Sequence, residues 1–285
     1  MADVKRRLGV HTSIAGGIHL SLERARELGC STIQIFSHNP RQWLANEIPA
    51  GASAQFRELR RTYGIDPVYI HASYLINLAS LDSAILERSI QLLARELDLA
   101  DLLAADYVVL HTGSASQDNA RDARRRAVGA LRVVAGTKAW KAKLLLENTA
   151  GERGDISSRM EDLSEIIRET ESALIAGVCI DSCHAFAAGY DLSREQGPAQ
   201  LADEVERYLK ADSVKLIHLN DSKKGCNSHV DRHEHIGQGS IGIEGLKRFV
   251  NHPVFRNIPL VLETPKKSEE DDPRNIKAVR EFLGE

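Results

Sequence analysis

Short, nearly continuous apolar runs alternate with longer amphipathic stretches from one end of the chain to the other. The short runs are rich in β-branched residues and leucine, as strands buried on both faces are. They predict strands near 7–12, 31–37, 68–72, 107–112, 143–149, 176–182, 214–220 and 259–264. Between them apolar residues recur at helical spacing. The clearest case is 82–104, where Ile85, Leu86, Leu93, Leu97, Ala100 and Ala104 fall on one face. Further helices are predicted near 18–28, 52–63, 119–138, 157–171, 198–210, 243–251 and 274–283. Eight strand-then-helix units joined by short loops, with no Pro- or Ser-rich linker, predict a single α/β domain over 1–285. A closed (β/α)8 TIM barrel accounts for this order better than an open doubly wound sheet.

In such a barrel the chemistry sits at the C-terminal ends of the strands. There the runs VYIHA, YVVLHT, KLLLENT, GVCIDSCH, VKLIHLND and PLVLETP place His71, His111, Glu147, Asp181, His218 and Glu263, with His184 three residues past Asp181. The loop NSHVDRHEHIG (227–237) adds Asp231 and His233. Such groups are costly when buried unpaired, and their convergence from different strands points to metal ions. Each has a plainer reading: Asp181 as a helix cap, His184 as a hydrogen-bonded core residue, the loop as a solvated charged segment. Asp231 and His233 project from one side of an extended segment, but His229 and His235 share that parity, so spacing alone does not choose among them. The donors are nitrogen and oxygen only, which suits Zn²⁺, Mn²⁺ or Fe²⁺ and disfavours Ca²⁺. Cys179 and Cys183 stand at C-x₃-C spacing rather than C-x₂-C and read as packing residues.

GQGSIG (237–242) matches G-x-G-x-x-G but follows a polar loop rather than a strand, so it reads as loop glycines, with a phosphate at the helix opening as the lesser reading. NPRQW (39–43) and SYLIN (73–77) follow the second and third strands and should rim the barrel mouth. Either Trp43, Tyr74 and Leu75 pack these loops down, or Arg41, Tyr74 and Leu75 touch the substrate.

Composition constrains the function further. With 42% hydrophobic residues, the 285-residue chain can build a full core. Its apolar runs end after about 5–8 residues where a membrane helix needs roughly 20, and MADVKRRLGVHTS has no apolar segment of the kind a secretory signal needs. Four irregularly spaced cysteines predict no disulfide framework and fit a reduced cytoplasmic setting. The net charge of −3 counts four candidate ligands as bare carboxylates. Three divalent ions would move it to about +3, so charge alone does not exclude a nucleic acid partner.

HASYLINL, GVCIDSCH and HLNDS followed by HVDRHEHIG resemble the signature regions of the endonuclease IV family of apurinic/apyrimidinic endonucleases. The resemblance runs from GVHTSIAGG (9–17) to LETP (262–265), with the motifs in matching order. It implies a (β/α)8 barrel with three zinc ions that incises duplex DNA 5′ to abasic sites, leaving 3′-OH and 5′-deoxyribose phosphate ends. It also implies which residues share an ion: His71 and His111 at the first, with Glu147 bridging to a second; Asp181, His218 and Glu263 at the second; His184, Asp231 and His233 at the third. Arg41, Tyr74 and Leu75 match residues that enter the minor groove at the lesion. Glu147 and Glu263 are the catalytic carboxylates expected, around hydroxide drawn from a metal-bound water with its pKa lowered toward ~7. The resemblance assigns no role to His229, His235 or Cys226. The expected enzyme is a monomer that needs no protein partner or membrane, cytoplasmic and nucleoid-associated when it acts, with trimming of blocked 3′ ends as a further activity.

Two other functions compete. A metal-dependent sugar isomerase or epimerase on the same barrel needs one or two ions, which would leave His184, Asp231 and His233 with little to do. A non-catalytic DNA-binding scaffold with structural zinc would favour closed four-coordinate sites, often with cysteine.

Overall fold

The computed structural model describes residues 5–45, 47–115 and 118–284. The first four residues of the charged N-terminal segment lie outside the described residues, as do 46, 116, 117 and 285. Eight strands form one parallel sheet: β1 (Leu8–Val10), β2 (Ile33–Ile35), β3 (Val68–His71), β4 (Tyr107–Leu110), β5 (Lys143–Glu147), β6 (Ile175–Asp181), β7 (Val214–His218) and β10 (Leu260–Leu262). Their order is β1-β10-β7-β6-β5-β4-β3-β2. The two ends of that order meet. His11 and Gln34 form a parallel bridge, Ser31 N–H donates to Leu8 O at 2.9 Å, and Thr12 N–H donates to Gln34 O at 2.8 Å. The barrel is closed, as the repeat of units predicts.

Closure depends on Gly9. A Cβ added there would lie 1.8 Å from the Thr32 carbonyl oxygen, so any side chain would push β1 and β2 apart. The surrounding helices are α1 (Leu20–Glu27), α2 (Ala50–Tyr63), α3 (Ser83–Leu103), α4 (Ala120–Ala135), α5 (Met160–Thr170), α7 (Gly197–Glu204), α8 (Gly242–Asn251) and α9 (Asp271–Leu283). The longest, α3, begins at Asp82, whose carboxylate accepts from Ala84 N–H at 2.8 Å and Ile85 N–H at 3.2 Å. That cap satisfies two of the donors a helix leaves open at its start.

Two elements lie outside the predicted pattern. A short helix α6 (Ser182–Ala187) follows β6 directly, and a two-residue hairpin pairs β8 (Asp221–Ser222) with β9 (His233–Glu234). The helix predicted over 198–210 divides into α7 and a π-turn over Val205–Leu209. Inside the barrel Tyr69, Val109, Leu145, Cys179, Leu216 and Val261, one from each of β3 to β7 and one from β10, form a buried apolar layer of their own.

Candidate metal centre

Side chains two residues apart on a strand point the same way. Two residues past that apolar layer come His71, His111, Glu147, Asp181, His218 and Glu263. The strands thus stack an apolar floor and, directly above it, a ring of metal-favouring groups. On β1 and β2 the ring is completed by His11 and Gln34.

Among the described residues five groups of ligand atoms form there, each with its members within 4.8 Å of one another; three have nitrogen and oxygen donors only (His71, His111 and Glu147; Glu147, Asp181, His218 and Glu263; His184, Asp231 and His233), and two add a thiol, Cys179 beside Glu147 and His218, and Cys183 beside Asp181 and His233. His111 Nε2 lies 3.0 Å and His71 Nε2 3.4 Å from Glu147 Oε2. His218 Nδ1 lies 2.9 Å from Glu147 Oε1 and 3.2 Å from Glu263 Oε2. In the third group Asp231 is 3.2 Å from His184 Nε2 and 3.3 Å from His233 Nε2. Despite these approaches Glu147 Oε2, His184 Nε2 and His233 Nε2 are buried without a hydrogen-bond partner. Glu147 Oε2 belongs to the group with His71 and His111, and the two imidazole nitrogens to the group with Asp231, so each of these two groups keeps buried donor atoms free to take a cation.

The outward ring nitrogens are engaged. His71 Nδ1 faces the Ala72 carbonyl at 2.7 Å, His184 Nδ1 the Asn148 carbonyl at 2.9 Å, and His233 Nδ1 the Glu263 carbonyl at 3.0 Å. A carbonyl behind an imidazole holds the proton on the outer nitrogen and frees the inner one to ligate. Burial alone would raise the Glu147 carboxyl, but His218, His111 and His184 overcome it and hold the group well below the usual carboxylate range. Burial likewise works against charge on His184, yet Asp181 and Asp231 pull its pKa well above the ordinary value. Four carboxylates gathered in one pocket, Glu147 and Asp181 fully buried and Glu263 and Asp231 nearer the mouth, repel one another, and cations between them would relieve this. The donor set therefore fits metal ions.

Asp181 caps a helix, as its plainer reading has it, and also faces the second group. One oxygen caps α6 by accepting from His184 N–H at 2.8 Å, and the other accepts from Asn220 Nδ2 at 2.6 Å within the second group. The hairpin of β8 and β9 resolves the ambiguity of the His-rich loop. It turns His233 inward beside Asp231, while His235 packs toward α9 with Nδ1 3.1 Å from Asn275 Nδ2. His229 lies against Gly151. Cys179 belongs to the apolar floor, and burial pushes the thiols of Cys179 and Cys183 up to about 12. The amides of GQGSIG are already taken: Asp221 accepts from Gly239 N–H and Ile241 N–H, each at 3.0 Å. A carboxylate occupies the place where a phosphate would have to bind.

The rim loops meet over the centre. Tyr74 is 67% exposed, its ring edge-on to Phe36 at 5.3 Å. Leu75 is half-buried, and Arg41 is exposed. Trp43 packs against the core, whereas its neighbour Leu44 stands out into solvent. Ser73 Oγ donates to the Pro40 carbonyl at 2.7 Å, and Ser73 N–H donates to Glu96 at 3.0 Å, which ties both loops to α3. Burial pushes the Glu96 carboxyl up to about 8. A cavity of about 730 Å³ opens beside the ligands, walled by His11, Phe36, His38, Tyr74 and Lys266.

Four buried or half-buried polar residues at the centre were not picked out from the sequence: His11, Gln34, Asn148 and Asn220. The first two occupy ring positions and were findable by extending the strand-end argument to β1 and β2. Asn148 welds β5 to β6 by accepting from Asp181 N–H at 2.8 Å. Asn220 welds β7 to β10 by accepting from Glu263 N–H at 2.8 Å. An asparagine next to a ligand carries no such signal by itself.

Residues 22–285 match the family model of the xylose isomerase-like TIM barrel. A probable endonuclease 4 of Halothermothrix orenii is 40% identical over 93% of this chain and 95% of that protein. One from Cenarchaeum symbiosum is 40% identical over 98% and 100%. The crystal structure of endonuclease IV from Thermus thermophilus superposes with a TM-score of 0.86 at 38% identity, covering 98% of this chain and 99% of the other. A D-tagatose 3-epimerase-like protein shares the fold at 20% identity and a TM-score of 0.74.

Proposed function

The chain belongs to the endonuclease IV family of xylose isomerase-like TIM barrels, and from that membership we propose that it is a DNA-repair hydrolase that cuts the phosphodiester 5′ to abasic sites in duplex DNA. The observation that carries the reading is that Glu147 Oε2 in the first ligand group, and His184 Nε2 and His233 Nε2 in the third, are buried without hydrogen-bond partners. The three nitrogen and oxygen groups would hold three divalent ions, zinc first on imidazole content, with Mn²⁺ or Fe²⁺ as substitutes. Bound cations supply Lewis acidity, lowering the pKa of water toward ~7 and neutralising charge on phosphate oxygens.

The chain's own groups do the rest. Glu147, at the junction of the first two groups, and Glu263, nearer the mouth, accept hydrogen bonds from the attacking water and align it with the phosphorus. Arg41, Tyr74 and Leu75 enter the minor groove at the lesion and hold the bent duplex. A nucleotide without its base costs less to unstack, which favours its extrusion into the cavity. The products are a 3′-OH and a 5′-deoxyribose phosphate. We assign the protein to the cytoplasm as a monomer, and among the described residues no helix is long and apolar enough to cross a membrane.

The epimerase reading retains only the shared fold. It gives the group of His184, Asp231 and His233 no task. The deciding experiment is incision of a duplex with one synthetic abasic site, before and after chelation, with the metal content of the same sample measured. Chelator-sensitive cleavage immediately 5′ to the lesion, at about three metals per chain, is the expected result. A fully metallated protein that leaves the duplex intact overturns the proposal and directs the search to sugars.

A further inference from the structure

Within the second ligand group, His218 on β7 and Glu263 just past β10 are held from behind by one side chain on β2. Gln34 is fully buried, and its Oε1 lies 2.8 Å from His218 Nε2. Its Nε2 donates to Glu263 Oε1 at 2.6 Å and lies 3.0 Å from His11 Nδ1. A carboxylate only accepts, so the amide must turn its NH₂ toward Glu263. The carbonyl then faces His218, whose Nε2 must carry the proton. His218 Nδ1 is left with its lone pair directed at the group, 2.9 Å from Glu147 Oε1 and 3.2 Å from Glu263 Oε2. One amide therefore sets the tautomer of one ligand and the direction of another.

Barrel closure does not require this arrangement. The β1–β2 seam is made by backbone groups, with Gly9 giving the clearance. An apolar residue would fill the Gln34 position without aiming a donor and an acceptor at two ligands. We propose that Gln34 is the positioning residue of the second cation site, locking His218 as its Nε2–H tautomer and aiming the Glu263 carboxylate. The inference rests on the metal-centre reading above. Outer partners of metal ligands are worth about 10–100-fold in metal affinity.

The test compares the wild-type protein with Gln34→Met and Gln34→Glu by zinc titration against a chromophoric chelator. The imidazole nitrogen spectra of ¹⁵N-histidine-labelled zinc-loaded protein are recorded alongside. In the wild type His218 should show a protonated Nε2. Gln34→Met should weaken one ion by about 10–100-fold, leave the others unchanged, and lose the single His218 tautomer. Gln34→Glu keeps an acceptor for His218 but opposes Glu263 with a second carboxylate, so the tautomer should survive while the same ion weakens. Should Gln34→Met not fold, the wild-type spectrum and Gln34→Glu still decide. A wild-type His218 protonated on Nδ1, or unaltered zinc affinity in the folded variants, overturns this inference alone. A wild-type protein that takes up no zinc overturns the metal-centre reading and this inference with it.

Discussion

Glu147 is the side chain on which the site turns. Its two oxygens face different ligand groups, Oε2 toward His71 and His111 and Oε1 toward His218. Glu147→Gln keeps the shape but removes the charge and one acceptor face. It should cut single-turnover incision by at least about 10²–10³-fold while leaving affinity for an abasic duplex nearly intact, and full cleavage by that variant would remove the bridging role. In the proposed reading Arg41 serves recognition rather than chemistry. Arg41→Ala should weaken duplex binding a few-fold and lower the salt slope of log K by about 1. Titration at several ionic strengths checks this, and an unchanged affinity and slope count against any contact of Arg41 with the duplex. Residues such as His71 and Glu263 were legible because a polar group ended an apolar run. Asn148 and Asn220 were not, since their importance lies in which neighbouring strand they reach.

At the scale of elements, the eight barrel strands were legible as short continuous apolar runs and the helices around them by their own periodicity. Strand ends were read too long, as with 31–37 against Ile33–Ile35, since buried residues continue past the last ladder bond. The helix α6 enters the sequence reading only as the one Asp181 would cap; its extent is not legible because every residue from Ser182 to Ala187 is buried, so it has no polar face to betray a helical period. The pairing of β8 with β9 is fixed by tertiary contact over two residues a side and leaves no repeat to detect. The tightest constraint falls on Gly9. Gly9→Ala sets a methyl group against the Thr32 carbonyl and should cost roughly 1–3 kcal/mol or more. Urea denaturation measures it, and a variant as stable as the parent would show that the β1–β2 seam can widen freely.

For the whole molecule, the proposed cations would link metal binding to the fold. Without them Glu147, Asp181, Asp231 and Glu263 would be crowded with no countercharge but the histidines. Chelation should lower Tm by at least ~5 °C, since 1 kcal/mol corresponds to about 2–4 °C in a chain of this size class, and zinc added back should restore it. Calorimetry on chelated and reloaded samples tests this, and superimposed curves would mean that the centre does not bind ions tightly. The alternation along the strands also bears on how such a chain can change. Six of the nine candidate ligands stand two residues above a floor residue, so deleting one residue from a barrel strand would turn its ligand toward the helices and bring a core side chain into the pocket. Length variation should therefore be confined to the loops, and an insertion scan would show tolerance rising abruptly at the last residue of each ring position.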